Sequence, residues 1–241
     1  MRNKLTRDEK LKLKKMGIIN QKQEDFYVIR FLSDVGYFKA KDMQALVQIA
    51  NDFGNGELSL TSRLTIEIPY IKEKNIQAVI DRANKENLRI GGAGNTVRAI
   101  VACKGTVCKH GMIDTRKLSE KIEAEFLGRE VPAKFKIGIF GCMNSYGKAQ
   151  SNDFAVIPKF NIVMNQMEFL VFLGGRSGRK SRKATPMKKK FKEEELSRLI
   201  DKTINFYNEN AIKKERFAEV IERLGQRKVE SEIIKSFKAD I

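Results

Sequence analysis

From Asp25 onward the chain alternates between short apolar runs and amphipathic stretches. Phe26–Phe31 is aromatic and β-branched, the composition of a strand. Met43, Leu46, Val47, Ile49, Ala50 and Phe53 recur at helical spacing and predict a helix over Ala40–Phe53. Gly54-Asn55-Gly56 ends it. Two short strands, Glu57–Thr61 and Leu64–Pro69, come next, then an amphipathic helix over Lys72–Asn87 with Ile76, Val79, Ile80 and Ala83 on one face. The order β-α-β-β-α predicts a small antiparallel sheet with helices on one side, a ferredoxin-like split motif.

Gly91-Gly92-Ala93-Gly94 marks a change of region. Beyond it, strands are expected at Val97–Ala102, Phe135–Phe140, Phe154–Ile157, Phe160–Met164 and Glu168–Phe172, with a helix over Ser119–Phe126. From Glu193 the pattern is helical. Leu196, Leu199, Ile200, Ile204 and Tyr207 form one stripe; Phe217, Val220, Ile221 and Leu224 form the next, ended by Gly225. The expected class is α+β: a charged, helix-prone arm over 1–24, a ferredoxin-like half-domain over 25–90, an α/β domain over 91–225 and a helical tail over 226–241.

Hydrophobic residues make up 41% of the 241 positions, enough for a sizeable core. No apolar run approaches the ~20 residues of a membrane span, and the charged N-terminus has no signal-peptide core. A cytoplasmic protein is expected. Charge changes the picture more: 47 basic against 30 acidic residues give +17, which predicts an anionic partner. Nine Lys or Arg and no acid lie between Arg176 and Lys192, either a solvated loop or an anion-facing one. With one histidine, His110, histidine-rich metal sites and Ser-His-Asp catalysis are poor readings.

All three cysteines sit in two glycine-containing segments, Cys103–Cys108 and Gly141–Cys142. Two close cysteines and a third on a distant turn suit an iron–sulfur cluster; buried structural thiols are the bland alternative. Lys104 and Lys109 favour thiolates. Arg63 lies between two short strands, Arg98 follows the glycine-rich turn, and Lys134 and Lys136 share one face of a strand. Like charges on one face are either solvated or directed at an anion.

Together these segments resemble the nitrite and sulfite reductase family of sirohaem and [4Fe-4S] enzymes, from about Asp25 to Gly225. Thr61-Ser62-Arg63 resembles the family's Thr-x-Arg strand, Gly94–Arg98 a second arginine segment, and Lys134-Phe135-Lys136 its Lys-Phe-Lys strand. Cys103–Cys108 with Gly111–Thr115, and Gly141-Cys142-Met143-Asn144, resemble its two cysteine motifs. Leu173–Arg179 and Glu215-Arg216-Phe217 recur downstream. The resemblance is to the small single-repeat members, such as anaerobic sulfite reductase catalytic subunits.

It implies a sirohaem/[4Fe-4S]-type second domain and six-electron reduction of sulfite or nitrite, sulfite being favoured. The cluster would be held by Cys103, Cys108 and Cys142, with Tyr146 where the family has its bridging cysteine. Arg63, Arg98, Lys134 and Lys136 would act on the oxyanion, and Thr61, Arg63, Asn95, Arg98, Asn144, Arg176 and Arg179 would serve the cofactors. The sequence contains neither an eight-cysteine ferredoxin module nor a nucleotide fingerprint, so electrons are expected from an external donor protein or subunit. Leu64 replaces the family's usual glutamine, and Phe154-Ala155 the glycine-rich stretch after Asn-Asp. A non-catalytic homologue binding a tetrapyrrole or a partner subunit is the alternative. Nucleic-acid binding rests on charge alone.

Overall fold

The computed structural model describes residues 5–145 and 148–239. Two sheets organise the chain. The first has the order β1 (Ile18–Asn20), β2 (Phe26–Phe31), β4 (Ile66–Lys72), β3 (Ser59–Leu60), antiparallel throughout. The helices α2 (Ala40–Phe53) and α3 (Ile76–Lys85) pack on it. Strand β2 alternates half-buried and buried positions, sending Tyr27, Ile29 and Phe31 into a core with Leu46, Ile49, Ile68 and Val79. Arg30 falls on the opposite face of that strand, a consequence of the two-residue period.

The second sheet is mixed: β5 (Val101–Ala102), β6 (Ile137–Ile139), β7 (Phe154–Asn161), β8 (Gln166–Leu173) and β9 (Thr185–Pro186). Strands β5, β6 and β7 run parallel; β7, β8 and β9 form an antiparallel meander. Helix α4 (Thr115–Phe126) starts at Asp114, whose carboxylate accepts from the amides of Arg116 and Lys117. Helices α5 (Leu196–Asn210), α6 (Phe217–Leu224) and α7 (Gln226–Lys238) close the largest core, where Phe135, Tyr207 and Phe217 meet with centroids 5.5–5.9 Å apart.

Several boundaries differ from those the pattern predicts. The charged arm is part of the fold: α1 (Arg7–Lys15) is capped by Thr6, and β1 pairs Ile18 with Ile29. A three-residue strand is too short for periodicity to register. The tail is likewise structural, because α7 buries Val229, Ile233 and Phe237 completely. Phe160–Met164 is not a separate strand; β7 runs unbroken to Asn161, and Ile162, Val163 and Met164 form its exposed turn. Pro158 is tolerated because β6 pairs only as far as Val156, leaving β7 an edge there. Strand β4 continues through Pro69 to Lys72, so α3 starts at Ile76 after one 3-10 turn. Of Val97–Ala102 only the last two residues join the ladder, although Val97 bridges Phe135. No helix among the described residues is long and apolar enough to cross a membrane.

Phe237 is fully buried, meets Phe191 at 5.6 Å and carries Arg198 over its ring at 4.1 Å. Phe237→Ala should therefore destabilise the fold by about 3–5 kcal/mol. The urea midpoint should fall accordingly; a loosely attached tail would leave it unchanged.

Candidate functional site

Parallel pairing of β5 with β6 decides where the cysteines go. Ala102 stands beside Ile139, so Cys103 and Phe140–Cys142 leave the sheet side by side at the carboxyl ends of parallel strands. Ligands commonly bind at such ends in α/β sheets. The first loop makes a 3-10 turn over Gly105–Val107 and closes with the Cys108 amide on the Gly105 carbonyl at 2.9 Å. The Met112 amide donates to the Gly141 carbonyl at 2.8 Å, and Thr115 Oγ1 to the Cys103 carbonyl at 2.7 Å. The Gly141 amide donates to Cys103 Sγ at 3.0 Å, tying the second loop to the first.

Two glycines make this approach possible. A Cβ on Gly111 would lie 1.8 Å from the Gly105 carbonyl oxygen, and one on Gly141 would lie 3.3 Å from Cys103 Sγ. The result is a cavity of about 370 Å³ lined by Cys103, Cys108, Cys142, Leu64, Phe140 and Lys104, among others. All three thiols are free and half-buried. Among the described residues no three His, Cys, Asp or Glu side chains close on a single ion. Three free thiols on two adjoining loops are a donor set that would suit an iron–sulfur cluster.

The cations gather at the other end of the same strands. Arg63 Nε donates to the Ala99 carbonyl at 3.0 Å, and its Nη atoms reach the Ile137 carbonyl and Asn152 Oδ1, each at 3.4 Å. Its turn is shaped by Thr61, whose Oγ1 accepts from the amides of Arg63 and Thr65 and lies 2.7 Å from Thr65 Oγ1. The next residue, Leu64, has φ +61° and faces the cysteine cavity, so one turn touches both regions.

Arg98 donates to the Gly92 carbonyl at 3.3 Å, whereas its buried Nε has no acceptor among the described residues. Burial brings the Arg63 and Arg98 guanidinium groups down to about 10; Arg98 and Arg30 add to the effect on Arg63, and Arg30 and Arg216 to that on Arg98. Lys136 is pushed down to about 8 by burial, then by Arg63, Lys134 and Arg216, with Asp153 opposing. Lys134 is lowered by burial and by Arg216 and Arg98. Arg216 Nη2 grips the fully buried Asp153 at 2.9 and 3.1 Å; its own Nε is buried without an acceptor among the described residues. Orphaned donors in a cationic pocket fit an anion rich in oxygen.

The other expected site residues are either paired within the protein or exposed. Arg176 is buried and paired with Glu219 at 2.9 Å, so its charge is already met by the protein. Arg179 and Asn144 are exposed. Asn95 is also exposed, and its carbonyl accepts from the Val131 amide. Tyr146 lies outside the described residues. Sequence reasoning gave no role to Asp153, Arg216 or Arg30. The last pairs with Glu67 at 2.6 Å and donates to the Gly92 carbonyl. A charged residue inside an apolar strand was the available signal.

The fold and the site define a two-part α+β protein with a cysteine-lined cavity at one end of a parallel strand pair and a cluster of desolvated cations at the other. Residues 19–86 match the nitrite/sulfite reductase ferredoxin-like half domain, and residues 93–241 the nitrite and sulphite reductase 4Fe-4S domain. The chain belongs to the nitrite and sulphite reductase family. It is similar to the coenzyme F420-dependent sulfite reductase of Methanocaldococcus jannaschii, with 26% identity over 93% of this chain and 45% of the relative. It also resembles the assimilatory-type sulfite reductase of Nitratidesulfovibrio vulgaris, with 25% identity over 87% of this chain and 93% of the relative. The NirA protein of Mycobacterium tuberculosis shares the fold at TM-score 0.83 and 16% identity, covering 96% of this chain and 48% of that one. The chain thus spans less than half the length of two of these three proteins.

Gly111→Ala should distort the first cysteine loop, because its Cβ would meet the Gly105 carbonyl, at about 1–3 kcal/mol of overpacking. Thermal unfolding should show a lower Tm, and iron uptake on anaerobic reconstitution should fall with it. Unchanged uptake would mean that the fold-back of this first loop is not what positions its two thiols.

Proposed function

We propose that this chain reduces a small oxyanion, sulfite before nitrite, as the catalytic part of a sirohaem and [4Fe-4S] enzyme. The observation that supports this reading is the Arg63–Leu64 turn. Through it, a cavity lined by three thiols is tied to a cluster of desolvated cations whose Arg98 and Arg216 Nε atoms have no acceptor among the described residues.

Cys103, Cys108 and Cys142 would hold the cluster, and Arg98 and Arg216 have free donors for carboxylates of the macrocycle. When bound, these groups supply the reducing iron and the route for electrons. The protein supplies position, charge and protons. Arg63 is braced by the Ala99 and Ile137 carbonyls, so its guanidinium keeps one orientation. The ammonium groups of Lys134 and Lys136 find no hydrogen-bond acceptor among the described residues, and both lie in the segment that enters β6. Their ammonium groups would neutralise the oxyanion and give up protons as its oxygens leave as water. A lysine pushed down to about 8 is well suited, because it is largely protonated at neutral pH yet a stronger acid than a free lysine. Electrons would come from an acidic carrier or partner subunit drawn by the +17 charge. Three free thiols fit a reducing cytoplasm.

Anaerobically purified protein should show tetrapyrrole absorption with bound iron and sulfide, and should reduce sulfite with a chemical electron donor. Cys142→Ala should lose the iron–sulfur content. Lys136→Ala should keep it and lower turnover by about 10²-fold. With the wild type, turnover should fall as pH rises through about 8, because the proton-donating ammonium form is lost. Protein that stays colourless after reconstitution would overturn the reading.

A further inference from the structure

Asp153 has no part in the reading above, yet among the described residues no carboxylate is more deeply enclosed. Its side chain is completely buried at the start of β7. One oxygen accepts from the Lys136 amide at 2.9 Å, and both accept from Arg216 Nη2. Lys136 enters β6, Asp153 enters the neighbouring β7, and Arg216 caps α6, so three elements meet on one acid. The Arg216 end is braced in turn. Glu219 accepts from the Arg216 amide at 2.9 Å and pairs with Arg176 at the same distance. Arg176 thus braces the residue that holds Arg216.

The charges facing Lys136 come from every element around it. Arg63 reaches in from the turn before β4, Lys134 from its own segment and Arg216 from α6; all three repel its ammonium. Asp153 alone attracts it. Asp153 also opposes the loss of charge on Arg63 and Lys134. Asp153 itself is pushed up by burial and held down by Arg216, by the Lys136 amide and by the Lys136 ammonium. Tyr207 on α5 faces it as well.

We infer that Asp153, held by Arg216, is the internal counter-ion of the cationic pocket, a positioning residue that fixes the Lys136 backbone and keeps its ammonium protonated. This inference deepens the proposed oxyanion-reducing role and shares its assignment of Lys136. The physical reason is that clustered cations in a desolvated pocket shed protons unless a buried negative charge accompanies them. An acid exposed to solvent would be screened and could not serve. Arg216 makes the burial of that acid tolerable, since an unpaired buried carboxylate would itself take up a proton.

The test reads lysine protonation without requiring activity. The full-length protein is labelled at graded pH with acetic anhydride, and each lysine's titration is read by peptide mass spectrometry. In the wild type, Lys136 should titrate near about 8. In Asp153→Asn its midpoint should fall by roughly one pH unit, about a tenfold larger ratio of neutral to protonated lysine. Exposed Lys159 should not move. Arg216→Lys keeps the charge and should leave Lys136 near the wild-type midpoint. The double variant Asp153→Asn/Arg216→Gln removes one attracting and one repelling charge, so the midpoint should return most of the way. General loosening of the fold would not reverse in that manner.

Should Asp153→Asn fail to fold, the neutral double variant still carries the test against the wild type. A Lys136 midpoint unchanged in Asp153→Asn, or one that falls further in the double variant, overturns the inference. If the labelling pattern holds but reconstituted protein reduces no oxyanion, the counter-ion role stands and the proposed function fails.

Discussion

The parallel pairing of β5 with β6 is the constraint on which the rest depends. Each strand is entered by cations and left by a cysteine: Arg98 before β5 and Cys103 after it, Lys134 and Lys136 before β6 and Cys142 after it. Because side chains alternate along a strand, a one-residue slip would turn each functional residue to the opposite face. The pairing itself is only two residues long, too short to hold register alone. Arg63 supplies the missing constraint from the first sheet's turn, donating to carbonyls at the entry of both strands. The half-domain's contribution to the site is thus this clamp as well as the Leu64 wall.

Holding several cations in a desolvated pocket costs free energy, and the depressed lysine and arginine values express that cost. The large apolar core behind the second sheet offsets it. Phe135 lies between Lys134 and Lys136 and packs on Tyr207 and Phe217, so the segment that leads the lysines into β6 is anchored by the residue between them. An anion entering the pocket would relieve the repulsion and satisfy the orphaned donors of Arg98 and Arg216. Binding and stability are coupled there in the way expected of functional sites kept at some cost to the fold.

Much was legible where chemistry or length made the signal strong. Helices α2, α5 and α6 carry apolar stripes over several turns, and a 3.6-residue period needs that length to stand out. The cysteines were conspicuous because there are so few, and the lysine pair because i and i+2 share a face. The edges were less legible. Strand β1 exists only because Ile18 finds Ile29, and β7 passes through Pro158 only because its neighbour stops short. Arg176 and Arg216 lie in equally recognisable motifs. One is spent on Glu219 while the other holds Asp153, and the motif does not say which.

The sequence by itself determined the inventory: three thiols, the basic residues of the Thr-x-Arg and Lys-Phe-Lys segments, and two regions of different periodicity. These are properties of residue type and local spacing, and local spacing is what a chain carries without folding. Tertiary structure decided the assignments. Asp153 meets Arg216 across 63 positions, and Arg63 meets Ile137 across 74. A charge acquires its partner, its burial and its protonation state only from groups brought near it, and that proximity is set by sheet register and core packing.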